Sequence, residues 1–289
     1  MTYMHEHLRI DLSQEKGDPD CLLDEFDHIS EELCALAGKG LERIVDMSCR
    51  GMGRDYAYLD RMEKATGIEL IVSTGFYKDP FLPPMVEASG AEELAALMAS
   101  DIENGAEGSG RKARIIGEIG SSLNCITHNE EKVFRAAARV HEKTGVPIST
   151  HTTLGSMGWE QILLLKSLGV DPGKIIIGHL DLANDEELIL RALDAGVYVE
   201  FDTIGKIKYL PDERRIGFIK TCIERGYSNQ LLLSMDITRR SHLKANGGVG
   251  YAYLVDSFLP RLREAGVSET SIKDMLKVNP DKIFGRTSS

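Results

Sequence analysis

Two histidines separated by one residue, His5 and His7 of "MHEHLRI", stand at the start of the chain. Strand side chains alternate faces, so this spacing sends both imidazoles to one side and Glu6 to the other, where one metal ion could be gripped by the pair. Four more residues of metal-ligand type end apolar runs: Glu118 in "ARIIGEIG", His151 in "VPISTHT", His179 in "KIIIGHLD" and Asp236 in "LLLSMD". Four imidazoles and two carboxylates exceed what one catalytic zinc takes while keeping a water position, so two ions are expected. His5, His7 and Asp236 are assigned to one ion, His151 and His179 to the other, and Glu118, midway around the ring, bridges them. Two divalent ions about 3.5–4 Å apart can hold a hydroxide, since coordination lowers the pKa of water from about 15.7 toward 7. Asp236, beside that hydroxide, is expected to take its proton during attack and pass it to the leaving group. A nitrogen and oxygen donor set admits zinc, manganese, iron or cobalt.

Such residues converge only if the intervening chain brings strand ends to one face. The periodicity reads as alternating strands and helices. After the opening strand, "DEFDHISEELCALAGKG" is a helix with Gly38 and Gly40 as its stop. "LERIVDMSC" then precedes "GRDYAYLDRMEKATG", "IELIVSTGFY" precedes "AEELAALMASDIENG", and "ARIIGEIG" precedes "NEEKVFRAAARVHEKTG", opened by a Thr127/Glu130 capping box. "VPISTHT", "KIIIGHLD", "VYVEFDT" and "LLLSMD" each precede a further helical stretch. These eight strand–helix units are the number at which parallel strands close into a (β/α)8 barrel, a single α/β domain over 1–289. A doubly wound open sheet is the rival, but it usually carries a glycine-rich turn after its first strand, and here that strand ends in histidines. In a barrel the working face lies at the C-terminal ends of the strands, where all six residues fall.

Composition narrows the function classes. A net charge of −11 disfavours nucleic-acid backbones as partners. Five scattered cysteines without a C-x-x-C pair read as reduced thiols. No run approaches the roughly 18 apolar residues of a membrane span, and the N-terminus lacks a signal-peptide layout, so a cytoplasmic location is expected. Only a few residues precede His5, which leaves room for a native start upstream.

The segments "MHEHLRI", "IIGEIGSS", "ISTHT", "IIIGHLD", "FDTIGK" and "LLLSMDITRRSHLKANGGVGYAYL", in this order over nearly the whole chain, resemble the phosphotriesterase-like branch of the amidohydrolase superfamily, most closely its bacterial phosphotriesterase homology proteins. The resemblance implies a (β/α)8 barrel, a binuclear centre usually found with zinc, hydrolysis of esters, lactones or organophosphates, and often a homodimer. It places the same ligand roles on His5, His7, Glu118, His151, His179 and Asp236. Two departures stand out. Many members bridge their ions with a carboxylated lysine on the fourth strand, where this chain has Glu118, and lactone-hydrolysing relatives often carry an arginine just after the seventh-strand Asp, where Asp202 is followed by Thr203. The expected function is hydrolysis of an ester-like bond in a lactone or small phosphorylated ester. Amide or deaminase-type chemistry, and a non-catalytic metal-binding protein, are the alternatives.

For substrate binding, the loop "ITRRSHLKANGGVGY" gathers Arg239, Arg240, His242 and Lys244 on an otherwise acidic protein. Barrel loops at this place commonly bind anions. Lys244 is expected to hold a substrate phosphate or carboxylate, and the two arginines either join it or pair with strand-end carboxylates such as Asp181 and Asp202. Tyr77, after the third strand, is expected to line the pocket or reach a leaving group. Lys206, Lys208 and Tyr209, after the seventh strand, are weaker candidates of the same kind.

Overall fold

The computed structural model describes residues 1–285. Eight strands lie in sequence order: β1 (Thr2–Glu6), β2 (Arg43–Asp46), β3 (Glu69–Thr74), β4 (Ile115–Ser121), β5 (Ile148–Thr152), β6 (Ile175–Gly178), β7 (Tyr198–Phe201) and β8 (Leu231–Leu233). Every neighbouring pair from β1 to β8 is parallel. Their near-continuous Ile, Val and Leu content suits strands covered on both faces. Between β8 and β1 the barrel is joined by a side chain: Ser234 Oγ lies 3.0 Å from His5 N and 2.7 Å from the His5 carbonyl.

The outer layer follows the expected alternation, with α1 (Phe26–Ala37), α2 (Tyr56–Thr66), α3 (Ala91–Glu103), α4 (His128–Thr144), α5 (Gly158–Ser167), α6 (Glu186–Asp194), α7 (Asp212–Glu224) and α8 (Leu259–Glu264). The α4 start is as the sequence predicts: Thr127 Oγ1 accepts from Glu130 N at 3.2 Å and Glu130 Oε2 accepts from Thr127 N at 2.7 Å. Met4, Val45, Met47, Ile71, Ile115, Ile176, Tyr198 and Leu232 fill the barrel floor, closed from below by Ile283 and Phe284.

Several short elements lie outside the eight predicted strand–helix units. A short antiparallel pair, Ile10–Asp11 with Leu22–Leu23, stands beside the mouth after β1. Short C-terminal helices, Glu269–Lys273 and Asn279–Ile283, supply the plug beneath the barrel.

Candidate metal centre

The six residues singled out by type come together at the C-terminal ends of their strands, four of them lining one cavity and His5 and His7 buried behind it. His5 ends inside β1, whereas His7 stands just past its last residue; the expected placement of His7 within the strand is corrected by one residue, its imidazole unaffected. Glu118 sits in β4 and His151 in β5, while His179 follows β6 and Asp236 stands beyond β8. His179 (φ 58°) and Asp236 (φ 50°) adopt left-handed backbone, which costs a non-glycine residue of order 1–3 kcal/mol and persists only where surroundings impose it. Glycines make room beside two of them. A Cβ on Gly117 (φ 146°) would stand 2.5 Å from the Ser149 carbonyl, and one on Gly178 would stand 2.6 Å from the Thr150 carbonyl.

Glu118 is the hub. Its Oε1 lies 3.2 Å from His7 Nε2, and its Oε2 lies 3.0 Å from His151 Nδ1 and 3.5 Å from both His5 Nε2 and His179 Nε2. Asp236 Oδ1 is 3.4 Å from His7 Nε2 and 4.0 Å from His5 Nε2, and its Oδ2 accepts from the Lys206 ammonium. Further polar groups stand behind three of the rings, although His5 Nδ1 makes no hydrogen bond. His7 Nδ1 meets Ser48 Oγ at 2.9 Å, His179 Nδ1 meets Asp202 Oδ1 at 2.7 Å, and His5 Nδ1 lies 3.4 Å from Asp202 Oδ2 and 3.5 Å from Glu200 Oε2. Carboxylates or hydroxyls behind an imidazole fix its tautomer and ring plane, as around bound metals.

The donor set fits divalent ions. His5 Nε2 and His7 Nε2 are fully buried without a hydrogen-bond partner, an arrangement too costly to leave uncompensated. Two trios, His5–His7–Glu118 and Glu118–His151–His179, have ligand atoms within 4.8 Å of one another and share the glutamate. Electrostatics agrees. Burial alone would lower His5, His7 and His179, yet the surrounding carboxylates raise His5 well above its ordinary value, His7 to about 9 and His179 to about 10. Burial would raise Glu118, but His5, His151 and His179 hold it well below the usual carboxylate range. Asp236 is likewise pulled down against its burial, first by Lys206. His151, with burial dominant, drops to about 4. The centre is a pool of negative charge that draws cations, whether protons or metals.

The cavity has a volume of about 240 Å³ and is lined by Glu118, His151, His179 and Asp236 together with Tyr77, Lys206, Arg239 and His242. Tyr77 lines the cavity, its hydroxyl 3.3 Å from His151 Nδ1. The expected anion site on the β8 loop is corrected. Glu32 of α1 accepts from Lys244 N at 2.7 Å and Tyr251 N at 2.8 Å, which pins the loop and sends the Lys244 ammonium outward, 3.8 Å from Asp256. Arg240 donates to Asp24 at 2.9 Å, outside the cavity lining. Arg239 does line the cavity but pairs with Asp18 at 2.7 Å and Asp20 at 3.5 Å. The strand-end carboxylates proposed for the arginines are taken elsewhere, Asp181 by Arg215 at 2.8 Å and Asp202 by His179.

Three residues take supporting roles that the sequence does not display. Asp202 and Glu200 back the histidines, and Glu6 accepts from Met235 N at 2.7 Å and Ile237 N at 3.1 Å, gripping the backbone on both sides of Asp236. Strand alternation signalled that Glu6 turns away from its histidine neighbours, but not what it meets there.

Comparison with known proteins gives a consistent picture. The sequence profile described as the phosphotriesterase family matches residues 1–284. The chain is 47% identical to the phosphotriesterase homology protein of Escherichia coli strain K12 over 283 residues, covering 98% of this chain and 97% of that one. The crystal structure of that E. coli protein, complexed with phosphate in its active site, superposes with a TM-score of 0.96 at 47% identity, covering 98% of each chain. A lactonase from Listeria monocytogenes superposes with a TM-score of 0.93 at 30% identity, covering 99% of this chain and 95% of that one. The human N-acetyltaurine hydrolase is 30% identical over 268 residues, covering 89% of this chain and 76% of that one.

Proposed function

The chain belongs to the phosphotriesterase family, and from that premise we propose that it is a binuclear metal-dependent hydrolase, with zinc as the first candidate metal, acting on a lactone or small phosphorylated ester. One observation carries the reading: a single carboxylate, Glu118, stands within 3.5 Å of all four imidazoles, one oxygen toward His7 and the other toward His5, His151 and His179, so that both donor sets meet on it. In this assignment His5, His7 and Asp236 would hold one ion, His151 and His179 the other, and Glu118 would serve both. Bound divalent ions would polarise the electrophile and provide a water nucleophile at neutral pH by lowering its pKa from about 15.7 toward 7.

The chain's own groups do the rest. Lys206 and the neighbouring imidazoles keep Asp236 ionised, so its carboxylate is ready to accept the proton lost during attack and return it to the leaving-group oxygen. Tyr77, buried against His151, offers a hydroxyl to the substrate where the ring closes one wall. Glu118 as bridge is shorter than a carboxylated lysine and needs no modification.

Amide hydrolysis is the second reading, favoured by the N-acetyltaurine hydrolase relative; it would use Asp236 to protonate a leaving nitrogen instead of an oxygen. Zinc-reconstituted protein screened in parallel against lactones, phosphate esters and amides separates the two. Turnover of a lactone or phosphate ester, abolished by chelator and by Asp236→Asn, is the expected result. Amide turnover alone would transfer the assignment, and inertness of fully loaded protein toward the whole panel would leave a binding protein.

A further inference from the structure

With Lys244, Arg240, Arg239 and Lys206 all matched to carboxylates, the cations without a counter-charge at the cavity mouth lie elsewhere. Lys16 ends the short helix Ser13–Lys16 that follows β1, and Lys78 follows Tyr77 beyond β3. Both line the cavity. Their ammonium groups stand over one aromatic ring, Phe81, at 5.7 Å and 5.4 Å from its centroid. Among the described residues neither has a carboxylate within 4.0 Å, and Lys78 donates only to the Asp79 carbonyl, at 3.0 Å. Two like charges brought to one ring, neither in an ion pair, are unusual on a chain of net charge −11. A π face attracts each cation modestly and does nothing for their mutual repulsion. Burial lowers Lys78 from its ordinary value, and Lys16 adds to this against the opposing pull of Glu130, Glu118 and Asp79.

We infer that Lys16 and Lys78 form an anion subsite at the cavity mouth, which receives a phosphate or carboxylate carried by the substrate away from its reacting group. The inference rests on the hydrolase reading for the location of that reacting group. Spacing supports the separation: Lys78 stands over both Phe81 and Tyr77, 5.6 Å from the Tyr77 centroid, Phe81 lies 5.4 Å from Tyr77, and Tyr77 packs 4.9 Å from His151. The Tyr77 ring therefore intervenes between Lys78 and the metal centre, and Phe81 adds a second ring on the Lys16 side. A doubly charged group with several oxygens can bridge both ammoniums, while the aromatic wall covers the apolar stretch between. Substrates with one reactive centre and no remote anion would leave the lysines unpaired.

Binding of three probes to metal-loaded full-length protein tests this without any turnover. Butyrate offers one carboxylate, glutarate adds a second carboxylate, and 4-phosphonobutyrate adds a phosphonate at the remote end. By titration calorimetry, wild type should bind one or both two-ended probes at least tenfold more tightly than butyrate, and which of them gains identifies carboxylate or phosphate as the partner. The double variant Lys16→Ser/Lys78→Ser should lose that tenfold preference, with butyrate affinity and thermal midpoint unchanged, and Lys78→Glu alone should reverse it. Absence of a preference in wild type, an equal loss for butyrate, or a loss in Lys244→Ala with the lysine pair intact would each overturn the subsite. A protein that hydrolyses esters yet shows no such preference refutes only this inference; one that prefers two-ended anions yet turns over nothing refutes only the hydrolase reading.

Discussion

Glu118 is shared by four imidazoles, so its removal reaches both halves of the centre at once. Glu118→Ala should lose one or both ions on metal analysis, whereas a variant retaining the wild-type metal content would show that the histidines suffice. Asp236→Asn keeps a ligand oxygen but removes the proton acceptor; kcat for the best substrate should fall about 10²–10⁴-fold with a much smaller change in KM. A KM-only effect would move Asp236 from proton transfer to binding. The six candidate ligands stand out in the sequence because each is a polar side chain closing an apolar run, a pattern that local sequence displays. The fate of Lys244 is decided by Glu32, and that of Arg239 and Arg240 by Asp18, Asp20 and Asp24, partners too distant in sequence for the loop alone to display. Glu6 was overlooked for a related reason, since its partners, Met235 N and Ile237 N, are backbone groups that no sequence motif advertises.

At the level of elements, strand periods and helix caps were readable wherever the apolar rhythm was strong, as with β4 and the Thr127/Glu130 box of α4. The Ile10–Asp11 and Leu22–Leu23 pair was not, because two-residue strands carry no period. The glycine before Glu118 is where strand geometry and site geometry meet. Gly117→Ala would combine a φ of 146° with a Cβ 2.5 Å from the Ser149 carbonyl, so β4 must shift against β5. Denaturant unfolding should register a loss of about 1–3 kcal/mol or more, accompanied by weaker metal retention. Unchanged stability would mean that the strand relaxes freely and that Glu118 does not depend on this turn of backbone.

For the whole molecule, acidity of the medium acts through a histidine that is not a candidate ligand. Burial, followed by Lys206, pushes His242 down to about 4, whereas in an unfolded chain it titrates near 6.5. Above pH 6.5 both states hold the neutral ring and the contribution to stability is complete. As pH falls toward 4 the unfolded chain takes the proton first, and the fold loses about 2–3 kcal/mol. His242→Gln should therefore lose less stability than wild type between pH 7.5 and 4.5 in urea unfolding; parallel losses would contradict it. The barrel itself followed from counting alternating units, while closure through Ser234 and the plug of Ile283 and Phe284 depended on contacts between chain ends that periodicity does not encode. What the barrel achieves is convergence of groups spread from His5 to Asp236 upon one bridging carboxylate. Metal content measured by mass spectrometry on zinc-saturated, desalted protein addresses this most directly. Close to two ions per chain is the predicted result, and a single ion at saturation would contradict the shared role of Glu118.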